Sequence, residues 1–354
     1  MNRIRAKSGV LLGALVSGAL ASGAIGGASP AQASCFSIFG LGNGNGCTSN
    51  VTTYAIAIGD GAVASATGLF GGSLAIGDNA QASMSPFNFS AFNFATAIGN
   101  DAIAQGFTTL FGVATQIGPG SAITLGFGNI AVGLGEGTGQ SAAASGIGGI
   151  AWQLGPGTAA TLGFGNIAVG LGEGTGQSVA ASGIGSSAWQ LGPGTAAAVG
   201  TLSIAAGVGQ GKAGQSSTSA GGFASLALNL LGGASADGIS RVSSNGFFSA
   251  AVNILGDDNE VTAAAPSLPG ANLAFNIFGS RNTVTASPGP LAIAGSIFQR
   301  GATVTKVGPG FNINGLAVPG VASVQSRSVT PAAATARHPT AKAVSPRTPR
   351  KNTR

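Results

Sequence analysis

Short stretches of alternating residues recur along this chain. They read YAIAI from Tyr54, GNIAVGL from Gly128 and again from Gly165, AVNI from Ala251 and AFNI from Ala274. Alternation over a few residues is the period of a β-strand. Each stretch runs into an apolar residue, then usually Gly, then a tight polar or proline turn. Ile58-Gly59-Asp60-Gly61, Ile76-Gly77-Asp78-Asn79, Ile117-Gly118-Pro119-Gly120 and Leu255-Gly256-Asp257-Asp258 are examples. Another short run follows the turn, such as AVA, AQA, EVTA or TVTA. From Ile58 to Phe298 there are thirteen such corners at intervals of 17 to 24 residues, averaging 20; the last has Gln299 in place of Gly. A strand, a corner and a strand recurring at this interval predict one turn of a parallel β-solenoid. Helices are disfavoured, because a Gly every few residues costs about 1 kcal/mol each in a helix interior. Thirteen turns at about 4.8 Å give a rod of roughly 60 Å.

The pattern contains a near-exact duplication. TLGFGNIAVGLGEGTGQS occupies 124–141 and again 161–178, and the longer segments 124–160 and 161–197 differ only at Ala142/Val179, Gly149/Ser186 and Ile150/Ser187. Within each 37-residue unit LGEGTGQ is echoed by LGPGTAA, so the unit divides into 20 and 17 residues. The eighteen residues read as one turn of coil, with GFGNIAVGL the strand and GEGTGQS the corner. Aligning the last corners sets a register in which Asp258 stacks on Arg281 and Asn259 on Asn282.

Composition supports a layered repeat over a compact core. Of 354 residues, 63 are Gly, and 7% are charged against roughly a quarter in ordinary domains. Small side chains bury little area each but let backbone layers approach closely. Collagen is excluded, since Gly does not fall at every third position.

The net charge of +6 belongs to the two ends. Residues 34–320 hold five basic and nine acidic residues, a difference of −4, so the body carries no nucleic-acid-binding signature. Residues 1–33 have a basic start, an apolar stretch from Val10 and a small-x-small site at Ala31-Gln32-Ala33. This predicts a signal peptide cleaved before Ser34, and a mature chain that is secreted or held in the cell envelope with no transmembrane span. Residues 321–354 contain four prolines, seven basic residues and no acidic one, which predicts a disordered basic tail. Between them the divisions expected are an N-terminal cap loop at 34–53, solenoid repeats at 54–306 and a C-terminal cap at 307–320. The only cysteines, Cys35 and Cys47, lie twelve apart, and in an exported chain they are expected to form a disulfide that pins the start of the body.

YAIAIGDGAVASATG, SLAIGDNAQAS and ATAIGNDAIAQG, within 54–106, resemble the S-x-A-I-G-x-x-A-x-A-x-G repeat in head domains of trimeric autotransporter adhesins. The resemblance implies a left-handed parallel β-roll assembled as a homotrimer, and an extracellular-matrix partner. Repeats in that family are shorter, no heptad stalk follows the body here, and the basic tail stands where the family has a membrane-anchoring barrel. The signal peptide and the Gly/Ala-rich body also resemble the Gly/Ala-rich exported proteins of mycobacteria, without their N-terminal PE-type helical module.

Catalytic chemistry is sparse. The body has no histidine, since His338 lies in the tail, one tyrosine, Tyr54, and no cysteine beyond Cys47. Nucleophilic catalysis lacks its base. Neither a catalytic residue, a cofactor nor a metal site is assigned. Four weaker patterns remain. Glu136 and Glu173 repeat at identical places in the duplicated unit, about 9–10 Å apart in a solenoid, near the separation of the two carboxylates of an inverting glycosidase, though the repeat alone would set that spacing for two solvated turn residues. Trp152 and Trp189 repeat likewise, as a sugar-stacking pair or as packing inside the rod or between protomers. Asp257, Asp258 and Glu260 could serve a hard cation such as calcium, and Thr283/Thr285 with Thr303/Thr305 form a short threonine ladder. These readings favour a non-enzymatic structural or adhesin-like surface protein that engages an envelope or matrix component. The alternative is a carbohydrate-binding or carbohydrate-active solenoid.

Overall fold

A computed structural model describes residues 34–315 apart from 43–45, 85–90, 92, 108–109, 136–138, 173–176, 210–215, 231–239, 265–269 and 288–290. Residues 1–33, expected to be a signal peptide, the tail 321–354 and the far end of the expected C-terminal cap lie outside the described residues. Among those described, every regular element is a strand except a single 3₁₀ turn at Ile313–Gly315. The chain passes alternately between two parallel sheets, one of nine strands and one of eleven, and winds a β-solenoid of about ten turns. Residues Ser65–Ala66 and Ser83–Met84 form a separate parallel pair upstream. Backbone bonds from Ile103 and Gln105 to Ala80 and Ala82 carry the winding on from there.

The duplicated eighteen residues cover about one turn. They comprise the end of one strand of the longer sheet (Ser121–Phe127), a corner, a strand of the shorter sheet (Ile130–Leu134), a second corner and the start of Gln140–Ile147. The two sheets pack through alanine. Ala114, Ala131, Ala151, Ala168, Ala188, Ala205, Ala227, Ala251 and Ala274 stack in register on nine successive strands, all fully buried. Side chains this small set a narrow interior, and larger residues turn outward.

At the corner leading from the shorter to the longer sheet the interior holds amides. In the shorter sheet Gln116, Gly133, Gln153, Gly170, Gln190 and Gly207 stack in that order. The longer sheet runs in opposite phase, with Gln140 facing Gly157 on the next strand and Gln177 beside Gly194. Gln153 Nε2 donates to Gln140 Oε1, and Gln190 Nε2 to Gln177 Oε1. Each glutamine fills space its neighbouring glycine leaves: a Cβ on Gly133 would lie 2.2 Å from Gln153 Oε1, and one on Gly172 2.1 Å from Gln177 Nε2. The pattern closes only after two turns, which is why the sequence repeats at 37 residues and not at 20.

Beyond Val208 asparagine replaces this arrangement. Asn229, Asn253 and Asn276 occupy consecutive strands. Asn253 Nδ2 donates to Asn229 Oδ1 at 3.0 Å, and Asn276 Nδ2 to Asn253 Oδ1 at 2.6 Å. Asn259 and Asn282 are both buried, as the register alignment places them, yet their amides do not bond each other. Asn259 Nδ2 donates across the corner to Asn253 Oδ1, and Asn282 Nδ2 to Asn276 Oδ1. The Asp258–Arg281 stack is present as an exposed ion pair at 3.4 Å.

Both ends carry extra chain. Cys35–Ser37 runs antiparallel along Ala55–Ala57, where it pairs an edge strand that would otherwise be open. Cys35 and Cys47 are joined, with Cα atoms 5.2 Å apart. At the other end Asn312 Nδ2 and Asn314 Nδ2 donate back to the carbonyls of Val304 and Ile297.

Candidate functional site on the outer face of the shorter sheet

Strands of the shorter sheet read IAVGL, IAWQL, IAVGL and SAWQL, and their burial alternates strictly. Even positions carry Ala, Gly or Gln and point inward. Odd positions carry the large residues and point outward. Parallel pairing without slippage stacks these outward residues into three columns. The first contains Val113, Ile130, Ile150, Ile167, Ser187 and Ile204. The middle one contains Thr115, Val132, Trp152, Val169, Trp189 and Ala206. Leu134, Leu154, Leu171, Leu191 and Val208 make the third. Thr115 and Ser187 are the polar exceptions. The apolar face continues through Leu226, Leu228, Val252 and Phe275. It also turns the corner from the longer sheet, where Phe127, Ile147, Phe164 and Ile184 stack and are exposed.

The opposite side of the rod has different chemistry. Ser121, Ser141, Thr158, Ser178, Thr195 and Ser217 form an unbroken column of hydroxyls on the outer face of the longer sheet. Ala143, Ala160, Ala180 and Ala197 run beside them. The next outward column of that sheet alternates exposed Leu125, Leu162 and Val199 with Ser145 and Ser182, so the rod has one apolar face and one on which hydroxyl and apolar rows are mixed.

Trp152 and Trp189 are brought together on the apolar face, in register on either side of Val169. They are 41% and 40% exposed, so neither packs inside the rod, which corrects the interior reading of this pair. The interior is filled at these turns by Ala151, Gln153, Ala188 and Gln190 and has no room for an indole. Apart from the indole N–H groups of the two tryptophans, Ser187 is the only hydrogen-bonding side chain in the three columns between Ile130 and Ile204.

The acidic turn does not converge on one point. Glu260 Oε2 accepts from Arg241 Nη2 at 3.0 Å, and Asp258 pairs with Arg281. Among the described residues no group of three His, Cys, Asp or Glu is placed to hold a metal ion. Thr285 and Thr305 stack on neighbouring strands. Glu136, Glu173 and His338 lie outside the described residues. Also among the described residues, no helix is long and apolar enough to cross a membrane.

Sequence reasoning found the tryptophan spacing and missed the face. Its signal was present: in IAVGL and IAWQL the alternation is large against small, with little of the apolar-against-polar contrast that marks a half-buried strand. No known protein family, curated protein or solved structure matches the chain.

Proposed function

We propose that the chain is a non-enzymatic, exported structural protein, an adhesin-like rod that engages its partner through the apolar face of the shorter sheet. The observation that carries this is the size and continuity of that face. A monomeric soluble protein rarely exposes a contiguous apolar patch of more than a few hundred Å², and larger ones mark interaction sites. Nine strands at about 4.8 Å, each about five residues wide, give a face of about 40 by 15 Å. The signal-peptide pattern of residues 1–33 supports export, and the scarcity of bases and nucleophiles in the body supports a binding role. The test is fractionation of the producing cell followed by a binding assay. The mature chain, starting at Ser34, should be found outside the cytoplasm, and Val169→Glu should abolish its retention on envelope or matrix material. A chain retained in the cytoplasm with residues 1–33 intact would overturn the export reading, and unchanged retention of Val169→Glu would remove the face from the mechanism.

The second reading, carbohydrate binding, is favoured by one observation: two tryptophans project from the same face two turns apart. Flat indoles stack on sugar rings, yet sugar hydroxyls also need hydrogen-bonding partners, and the columns around Trp152 and Trp189 offer almost none. Retention on a glycan array that is lost in Trp152→Ala with Trp189→Ala would favour this reading. Polysaccharide turnover lost in Glu136→Gln with Glu173→Gln would extend it to catalysis.

A further inference from the structure

We propose that the occupant of the apolar face is a second copy of this chain, packed face to face so that two shorter sheets form the inside of a sandwich. The inference rests on the preceding reading of that face as an interaction surface and names its partner. Three observations lead to it.

The first is area. A footprint of about 600 Å², raised by side-chain relief, approaches the roughly 800 Å² per partner of a standard stable interface. Two flat sheets pack at about 10 Å with their side chains interdigitated, so a sheet is a fitting partner for a sheet.

The second is relief. Down the middle column large and small residues alternate, Val132, Trp152, Val169, Trp189, Ala206, so the face has ridges and valleys with a period of two turns. Ridges of one copy fit the valleys of an antiparallel copy displaced by one turn, about 4.8 Å. This is the self-complementarity that a two-fold interface requires. The relief has the same period as the Gln/Gly alternation inside. The duplication that satisfies the interior therefore shapes the exterior as well.

The third is charge. From residue 8 to residue 211 the chain has no Lys or Arg. A face that lies on a lipid surface is normally flanked by basic residues that meet anionic headgroups, and this stretch of the rod has none to offer. Pairing two copies buries the more continuous of the two apolar surfaces and leaves the longer sheets, with their Ser/Thr columns, outward on both sides.

The test uses the only two tryptophans of the chain, both on this face, as reporters. For the mature full chain, sedimentation equilibrium should return twice the chain mass. Tryptophan emission should be blue-shifted and should move to the red on dilution through the dissociation range. Val169→Glu should give a single-chain mass and red-shifted emission at every concentration, with an unchanged β-sheet circular dichroism spectrum. Trp152→Gln, which adds no charge, should weaken pairing at least tenfold and guards against misfolding of the glutamate variant. A wild-type chain that is monomeric with water-exposed tryptophans, or one that is trimeric, overturns the proposal. If that monomer shifts its emission on adding phosphatidylglycerol vesicles or envelope extract, the face still binds a partner and only the second copy is ruled out. If nothing shifts it, the proposed function falls too.

Discussion

The turns between Val113 and Val208 and those between Ser240 and Lys306 wind the same coil around different interiors. In the first region glutamine alternates with glycine, and the neighbouring inward positions are small: Ala142, Ala159 and Ala196, with Val179 the exception. In the second, asparagine sits on successive turns, and the same inward column holds Val242, Val261, Val284 and Val304. Volume is exchanged between adjacent positions. A longer amide goes with alanine, a shorter amide with valine. Reach decides the period. Glutamine extends over the next turn and forces a glycine there, so the unit is two turns long. Asparagine reaches only to the amide stacked on it in the adjacent turn, needs no glycine there and can repeat every turn. Hydrogen bonding differs as well. Gln153 Oε1, Gln190 Oε1 and Gln140 Nε2 have no partner among the described residues, whereas Asn253 donates once and accepts twice.

The largest expected effect is at the node of the asparagine region. Asn253→Ala removes three hydrogen bonds and takes that partner from three buried amides, so it should destabilise the rod by about 3–5 kcal/mol in urea unfolding. Gln153→Ala removes one amide pair and should cost about 1–2 kcal/mol. Equal losses would refute the distinction between a network and isolated pairs. The next test concerns reach. Gly133→Ala places a methyl against Gln153 Oε1 and should cost about 1–3 kcal/mol. Adding Gln153→Asn, which shortens the amide, should recover about 1 kcal/mol in a double-mutant cycle. Simple additivity would mean that glutamine reach does not set the two-turn period. The smallest effect is expected outside: Arg281→Ala removes an exposed pair with Asp258 and should change stability by about 0–1 kcal/mol, diminishing in salt.

Much of the fold was legible because corners announce themselves. An apolar residue, Gly and a tight turn recur about every twenty residues, and nothing but a coil makes such regularity useful. The register of the last turns was legible too, since Asp258 and Arg281 align without gaps. The direction of the side chains was not. Hydrophobicity sends Ile, Val, Leu and Trp inward by default, and in a strand such as IAWQL the alternative puts Ala and Gln inside. What decides between them is the distance between two sheets, fixed by corners many residues away, at a value that admits alanine and an extended amide but no indole. Glutamines look like surface residues one at a time. Only their opposite phase with glycine across 37 residues reveals them as interior. The candidate site suffered likewise: the Trp152/Trp189 spacing could be read, while the apolar face they stand on requires knowing which way every neighbouring residue points.

The stack of nine buried alanines has a further consequence. Because the same methyl meets the same methyl at every level, and the amide pattern closes after 37 residues, a unit such as 124–160 can be added or removed with matching surfaces on both sides of the cut. Rod length thereby becomes a quantity that recombination can adjust in steps of about 10 Å without redesigning a single contact. The near-identity of 124–160 and 161–197 is what one such step looks like before substitutions have accumulated.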